Sequence, residues 1–582
     1  MRRLYPVLAG IAAALAGALA FGADAPAPDP LLRAMHDEIE RSRKLLVPNL
    51  EPPYFIEYVV DQADNFSVAA SLGGLVAERH DHMRLPEVHV RVGDYKFDNT
   101  NFVGSGAGGT RYDLGAWPLD DSYPVLRRYF WLATDSAYKA AVESIARKRA
   151  AMRDLTQNAP LDDFGHAEPV RRDPEFPRAT LDEDAWRARV RALSAIFAEY
   201  PQIMDSRVDL DSGTGGYYVV NSEGTEAREP ENVMYLHARA MIPASDGTIV
   251  RDSVSFYARD GTRMPGDAEL SRGIRNLAES LIALAHAPKG EDYNGPVLFE
   301  GAASPQIFAQ LLGRNLWLPR KPEGARGGFN GSELEGRLGA RILPDSFDAL
   351  DDPTQKEWHG RPLFGSYDVD REGVPAKPVS VVEKGMLKGY LLTRQPVRGF
   401  SESNGRARLP GPFGASIAVA SNLFVSSSET MPAAQMKQKL IELVAARSLP
   451  YGLVVRRLDF PSSASVEEVR RLLTSSQGAA HPVSPPVLAY KVFADGHEEL
   501  VRGLRFRGLS ARSLKDIAIA GDDDTVFEYM ENDAPLALAG ASAFSTEVAV
   551  VAPSILIDDL ELHPAEDEPP KLPVVPAPEI SR

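Results

Sequence analysis

Turns of one repeated kind divide residues 206–262 into strand-length segments. Each turn contains an acidic residue followed by glycine and threonine, and the three turns end at Thr225, Thr248 and Thr262. Glycine readily adopts the positive φ that a tight turn between antiparallel strands requires. The pattern therefore predicts a β meander, closed by a helix over residues 267–286.

Helical patterns precede this meander at three places. Helical spacing predicts helices over 31–47 and 134–155, and Thr180 with Glu183 fits a capping box before a third helix. Segments that alternate between apolar and polar residues between positions 54 and 97 predict strands after the first helix. The first half is thus expected to combine helices with a sheet.

The second half is richer in strand and turn signals. An Ala494-Asp495-Gly496 turn predicts a hairpin, and a capping box at Ser465 predicts a helix over 465–474. Beyond Leu562 the chain is acidic and rich in proline, which is typical of a disordered tail.

Length and composition limit the classes of protein to which the chain can belong. With 582 residues, it is too long for one core and should form two or more domains. It contains no cysteine, which excludes disulfides, thiolate nucleophiles and thiolate metal ligands. A net charge of −17 argues against general nucleic-acid binding, which needs clustered cations.

The first residues resemble a secretory signal peptide. A positive start at Met1-Arg2-Arg3 precedes an apolar run and small residues suited to cleavage. An uncleaved anchor is the alternative, because the run approaches the length of a membrane span. No later segment is apolar enough to cross a bilayer, so the sequence predicts an exported protein of the periplasm or cell envelope.

Four motifs of the second half together resemble one family. In chain order they are "DALDDPT", "GSYDVDREGVPAKPVSVVEKGMLKGYLLTR", "SNGRARLP" and "ASNLFV". Their types and order are similar to those of the TldD/PmbA family, once described as modulators of DNA gyrase and now regarded as metallopeptidases with paired subunits. The resemblance covers roughly residues 290 to 565 and implies an α+β fold, with a mixed α/β N-terminal domain and a β-rich C-terminal domain.

These observations predict a specific domain organisation. We expect a signal peptide over 1–23, an N-terminal α/β domain over 24–290, a C-terminal β-rich TldD/PmbA-like domain over 291–563 and a disordered Pro-rich tail over 564–582.

The family's zinc motif is degenerate in this chain. Active subunits carry His-Glu-x-x-x-His after an apolar strand, and the two histidine positions correspond here to Phe299 and Ser304. Only the glutamate, Glu300, is kept, as a catalytic base or as a relic of one. Ser304 and Pro305 fit an N-cap and N1 pair, which predicts a helix from residue 305. The resemblance therefore predicts no cofactor and no metal ligands, as in the PmbA/TldE-type partner subunit.

Other polar residues are candidates for binding. Arg406 and Arg408 could grip a peptide carboxylate or main chain, or could be exposed cations on an acidic surface. The predicted substrate-binding residues also include Asn404, Asp370 and Glu372. The alternation of Asp368 with the last two would suit Ca²⁺ or Mg²⁺, although charged residues flanking a turn at Gly373 explain it more simply.

Histidines and glycines offer weaker signals. His80 and His82 would share one face of a strand, with His89 nearby, and such pairs are more often surface residues than metal ligands. His497 lies beside the predicted hairpin turn, where we interpret it as solvent-facing. Residues 104–109 formally match Gly-x-Gly-x-x-Gly but lack the strand-turn-helix context, which favours a mobile loop.

Three functional hypotheses follow. The first is an exported peptidase-family subunit that binds a peptide or an unfolded protein segment, forms a homodimer or a heterodimer with a TldD-like subunit, and has lost its own zinc chemistry. The second is an active hydrolase with a relocated metal site, with Glu300 as base and ligands from His80, His82 or the acidic turns. The third is a non-catalytic envelope scaffold. The sequence leaves open whether the chain is itself an enzyme.

Overall fold

The computed structural model describes residues 29–105, 111–112, 117–153, 161–176, 181–325, 331–463, 483–532 and 545–565. The first half contains, in order, α1 (Pro30–Ser42), β1 (Pro53–Ser71), β2 (Gly74–Val92), β3 (Arg111–Tyr112), α2 (Tyr123–Met152), β4 (Arg171–Arg172), α3 (Glu183–Ala195), β5 (Asp205–Asn221), β6 (Glu226–Pro243), β7 (Ile249–Ala258) and α4 (Asp267–His286).

The second half consists mainly of strands. Its elements are β8 (Tyr293–Phe299), α5 (Ala303–Leu311), β9 (Phe347–Asp351), β10 (Glu357–Trp358), β11 (Arg361–Pro362), β12 (Val379–Glu383), β13 (Met386–Leu387), β14 (Ala407–Pro410), β15 (Ser416–Ala418), β16 (Asn422–Ser427), β17 (Thr430–Met431), α6 (Ala433–Ala446), β18 (Gly452–Leu458), β19 (Pro486–Val492), β20 (Glu498–Val501), β21 (Leu504–Arg507), β22 (Ile517–Glu531) and β23 (Thr546–Pro564).

The first sheet has one apolar face and one largely polar face. Its strand order is β3-β2-β1-β5-β6-β4, with β7 beside β6. Side chains at even positions, such as Phe66, Leu210 and Leu236, pack in a core with α3 and α4. Tyr58 and Val88 continue the same face toward α1 and α2. Because successive side chains of a strand point to opposite faces, the odd positions face the second half of the chain.

The meander and its closing helix are confirmed. β5, β6 and β7 pair antiparallel in sequence order, and α4 spans the predicted residues. Gly224 and Gly247 adopt φ values of 109° and 84°, as the turn chemistry requires. The expectation of positive φ at Gly261 is wrong. There the Asp260 carboxylate accepts the Thr262 and Arg263 main-chain N–H groups and so closes the turn without a left-handed residue.

Several element boundaries differ from the prediction. The strands expected between residues 54 and 97 are two 19-residue strands that form one hairpin. α2 begins at Tyr123, well before residue 134, because Pro124 suits a first turn and Leu126 extends its buried face. In α3 the N-cap is Asp182, whose carboxylate accepts the Ala185 N–H; the proposed cap residue Thr180 lies outside the described residues.

The second sheet holds the largest core. Its main path is β13-β12-β9-β16-β23-β8-β18-β19-β20, and β21 and β22 also pair with β23. The hairpin over Gly496 is confirmed, since β19 and β20 pair antiparallel around it. The proposed signal peptide, the helix over 465–474 and nearly all of the proposed tail lie outside the described residues. The domain limits themselves stay predictions.

The two halves contact each other through charged side chains. The Arg371 guanidinium donates to both carboxylate oxygens of Asp61, at 2.6 and 2.7 Å, and to Glu87 at 2.6 Å. Arg394 donates to Glu223 at 2.8 Å. No helix of the described residues is both long enough and apolar enough to span a membrane.

Candidate functional site

A cleft of about 1080 Å³ lies between the polar face of the first sheet and the loops of the second half. One wall comes from β7 and the loop that follows it. The opposite wall includes Ala302 and Gln306, at the start of α5, together with the end of β18. A concave space of this size between two structural units is the usual position of a binding site.

Two cross-strand pairs of β6 and β7 lie at the cleft, and three of their members, His237, Ser255 and Tyr257, line it. His237 on β6 lies opposite Ser255 on β7, and Tyr235 lies opposite Tyr257. The His237 Nδ1 atom is 3.0 Å from the Ser255 Oγ, and the two tyrosine rings stack with centroids 5.0 Å apart. Burial lowers the pKa of His237 to about 4, so its imidazole is neutral at pH 7.

Charged groups of both signs line the cleft. Asp252 on β7 forms an ion pair with Arg457, and burial raises the pKa of Asp252 to about 6. Arg259 donates to the carbonyl oxygens of Phe364 and Ser366, at 2.5 and 2.7 Å. The cleft therefore offers both hydrogen-bond donors and acceptors, and has no single dominant charge.

The positions that resemble zinc ligands cannot hold zinc in the family's manner. Phe299 is fully buried in the main core, with its ring centroid 6.0 Å from that of Phe506. Ser304 is also buried, and its hydroxyl donates to the Pro553 carbonyl at 2.5 Å. A phenyl ring has no ligand atom and the serine oxygen is already committed, whereas zinc takes imidazole, thiolate or carboxylate ligands.

The predicted start of the helix at residue 305 is wrong. α5 begins at Ala303, so Ser304 lies inside its first turn and its side chain makes no capping bond. Pro305 is tolerated there because the first N–H groups of a helix have no partner within it. Gln306 instead fastens the helix, by accepting the Leu458 N–H and donating to the Phe460 carbonyl.

Glu300 lies in the turn before α5, as expected, but away from the cleft. Its carboxylate accepts from the Arg456 Nε at 2.5 Å, and its side chain is 31% exposed. Arg456 also pairs with Glu498 at 2.9 Å and stacks over the Tyr490 ring. Glu300 is absent from the residues that line the cleft. The structure therefore places its carboxylate in a surface ion-pair network.

The predicted substrate-binding residues lie close together, with partners inside the chain. Arg406 is buried and bonds Asp351, and Arg408 bonds Glu547, so the expectation that they are exposed cations is wrong. The remaining three are held by main-chain or hydroxyl groups: Asp370 by Ala407, Glu372 by Arg394 and Ser416, and Asn404 by Leu392 and Tyr390.

The histidine candidates do not converge. His80 is exposed and lies 3.4 Å from Glu183, and His82 is 2.6 Å from Asp64. His89 has the opposite strand parity and so lies on the other face of β2. In the described ranges, no three His, Asp or Glu side chains are grouped as a metal site would require.

Sequence reasoning missed the cleft residues on β6 and β7. The available signal was the alternation along β6, where Glu229, Glu231, Tyr235 and His237 share one parity and, from Met234 onward, apolar side chains occupy the other. A polar strand face usually meets solvent, and here it meets a second domain. The sequence pattern by itself does not separate these two cases.

Comparison with known proteins finds one matching family model and two similar curated proteins. Residues 294–459 match the PmbA/TldA metallopeptidase C-terminal domain. A curated metalloprotease of Archaeoglobus fulgidus is 36% identical over 78 residues, or 13% of this chain and 17% of that protein. One of Methanothermobacter thermautotrophicus is 27% identical over 208 residues, or 35% of this chain and 41% of that protein. Both alignments thus span less than half of the relative.

Solved structures share the fold over most of the chain. TldE of Thermococcus kodakarensis has a TM-score of 0.56 at 13% identity and covers 91% of this chain and 99% of that one. A proposed DNA gyrase modulator of Thermotoga maritima has a TM-score of 0.54 at 16% identity and covers 87% and 96%. These likenesses confirm the α+β fold predicted from the sequence.

Proposed function

We propose that the chain is an exported, peptide-binding member of the TldD/PmbA family of metallopeptidase-like proteins that has lost the family's zinc site and works beside a metal-bearing subunit. The observation that carries the proposal is the chemistry at the two former ligand positions. Phe299 is part of the core and Ser304 bonds a main-chain carbonyl, so the site is rebuilt for packing.

The cleft supports peptide binding. β7 lies at the margin of its sheet and, among the described strands, pairs with β6 alone. An edge strand keeps one row of main-chain donors and acceptors unpaired, and an extended peptide can add to such an edge. Residues of β7 line the cleft along with charges of both signs, which suits a main chain that carries both donors and acceptors.

The proposed function includes export and pairing with another subunit. The signal-like pattern over residues 1–23 supports a periplasmic or envelope location. A subunit without its own metal would contribute to proteolysis by presenting peptide to a TldD-like partner, either in a heterodimer or after exchange from a homodimer.

Metal analysis and peptide binding on the mature protein test the proposal together. We expect no stoichiometric zinc in the isolated chain, and micromolar binding of a labelled unstructured peptide by fluorescence anisotropy. Ser255→Trp should block the cleft and abolish binding, whereas Ser428→Trp, on an exposed turn, should not. One tightly held zinc per chain, with peptide cleavage lost on chelation, would overturn the proposal.

A further inference from the structure

The cleft continues into a narrow space where acidic side chains meet. A cavity of about 20 Å³ lies beside it and shares Glu229, Pro230 and Arg259 with its lining. On the other side, Glu231 also borders a third cavity of about 470 Å³. The narrow space is lined by three glutamates, Glu229 and Glu231 from β6 and Glu547 from β23.

Two of these carboxylates have a buried oxygen without a hydrogen bond. The Glu229 Oε1 accepts the Asp368 N–H at 3.0 Å, but its Oε2 has no hydrogen-bond partner. The Glu547 Oε2 accepts from Arg408 at 3.2 Å, but its Oε1 has none. The two side chains are 7% and 1% exposed, so water offers little compensation. Buried acceptors left in this way cost free energy unless something donates to them.

The neighbouring cations do not fill this need. Arg259 approaches the Glu547 Oε1 only to 3.7 Å, and Arg172 approaches the Glu229 Oε2 only to 3.8 Å. Both distances exceed those of hydrogen bonds. Arg371, which also lines the space, donates to Asp61 and Glu87 instead.

Glu231 resists ionisation in this space. Burial, followed by the nearby carboxylates of Glu547 and Asp61, raises the pKa of Glu231 well above its ordinary value, against the opposing effect of Arg371. Arg371 and Arg259 donate to other acceptors, whereas Arg408 donates to the Glu547 carbonyl and to its carboxylate. The proton that Glu231 retains, hydrogen-bonded to Glu547, therefore occupies the place that a cationic donor could take.

We propose that this space binds a primary ammonium group, which donates its N–H bonds to Glu229, Glu231 and Glu547. An ammonium group has three donors and no acceptor, so it could donate to the unpaired oxygens of Glu229 and Glu547 and replace the proton of Glu231. A volume of about 20 Å³ holds one water-sized group, so it fits the charged head and leaves the rest of the ligand in the adjoining cleft. The inference rests on the proposed function, because a peptide in the cleft would supply the ammonium from its N-terminus or from a lysine.

Peptide pairs that differ only in their amines test the assignment. We expect N-terminal acetylation of a lysine-free peptide to weaken binding to the wild type about tenfold or more, since a charge-assisted bond contributes roughly 1.5–3 kcal/mol. The Glu231→Gln variant should bind the free peptide and the acetylated peptide with equal affinity. If acetylation of the N-terminus has no effect on affinity, but acetylation of the lysine in a lysine-bearing peptide weakens binding, the bound group is a lysine side chain. Methylammonium chloride should compete in either case.

Matched variants and pH complete the test. Because an ammonium would displace the proton of Glu231, affinity for a lysine ammonium, which stays protonated below about pH 10, should rise with pH, and calorimetry in buffers of different ionisation enthalpy should show proton release. The groups that face Glu231 are Glu229, Glu547, Asp61, Tyr217, Arg259, Arg371 and Arg408. Glu57→Gln, which changes another buried glutamate away from the cleft, should leave both readouts unchanged.

The possible failures are distinguishable. Equal binding of amine-bearing and fully acetylated peptides, with no competition by methylammonium, would overturn the ammonium site while peptide binding stands. If no peptide binds but methylammonium still binds in a Glu231-dependent manner, the ammonium site stands and the peptide-binding proposal falls.

Discussion

Arg406 shows how a residue that looks suited to ligand binding can serve the fold. Its Nε donates to Asp351 at 2.6 Å, and its other nitrogens donate to main-chain carbonyls, including that of Lys377. Both ion-pair partners are fully buried. We predict that Arg406→Met lowers the free energy of unfolding by about 3–5 kcal/mol, because it leaves the Asp351 charge uncompensated in the core. Urea unfolding followed by circular dichroism measures this loss.

An exposed arginine provides the control. Arg341 is half exposed and lies 3.9 Å from Asp345, so Arg341→Met should cost less than about 1 kcal/mol. If Arg406→Met instead lowers stability only slightly and weakens peptide binding, Arg406 takes part in ligand recognition.

Glu300 gives the opposite case, a motif residue at the surface. Its partner Arg456 keeps a second carboxylate, Glu498, and both Glu300 and Arg456 are partly exposed. We predict that Glu300→Gln changes the free energy of unfolding by less than about 1 kcal/mol and leaves peptide affinity unchanged. Glu498→Gln should behave in the same way. Loss of peptide turnover in Glu300→Gln alone would show that this glutamate acts as a base.

At the scale of elements, the turn at Gly373 joins the two halves. Gly373 has a φ of 73°, and a Cβ at this position would lie 2.7 Å from the Thr225 Cγ2 in the turn between β5 and β6. We predict that Gly373→Ala costs about 1–3 kcal/mol, from the left-handed backbone and from this contact. Thermal and urea unfolding of the purified variant measure the cost.

Two further variants separate these contributions. Gly360 has a φ of 79° with open space around it, so Gly360→Ala should show only the backbone cost. Thr225→Ser removes the Cγ2 but keeps the hydroxyl that accepts the Val170 N–H, and should recover part of the loss when combined with Gly373→Ala. No recovery would show that the contact with Thr225 is not what limits this turn.

For the whole molecule, burial of carboxylates between the halves links stability to pH. Burial raises the pKa of Glu57 to about 7 from an ordinary value of 4.5. In the folded state the Glu57 carboxyl group resists ionisation. Its contribution to the free energy of unfolding is therefore fully present below pH 4.5 and is lost as pH rises through 7. We predict that the free energy of unfolding of the wild type, relative to Glu57→Gln, falls by up to about 1.4 kcal/mol per pH unit across this window.

The comparison with Glu57→Gln is needed because other groups titrate nearby. The lowered pKa of His237 has the opposite effect on the pH dependence of stability. Its contribution to the free energy of unfolding is lost as pH falls from 6.5 to 4. Urea unfolding at half-unit intervals from pH 4.5 to 8 measures the difference between the two proteins. Glu143→Gln, at an exposed site, should follow the wild type, and parallel curves for wild type and Glu57→Gln would contradict the prediction.

The sequence by itself determined the local structure and the resemblance to the TldD/PmbA family. The turns at Gly224 and Gly247, the helix Asp267–His286 and the hairpin at Gly496 depend on residues that are near each other in the chain. The sequence also places Phe299 and Ser304 at the positions that correspond, through the family resemblance, to the histidines of the zinc motif. Tertiary structure decided which polar groups are buried and what they meet. Glu231 and Glu547 come from different sheets, and only the docking of those sheets removes both from water, which no local pattern records.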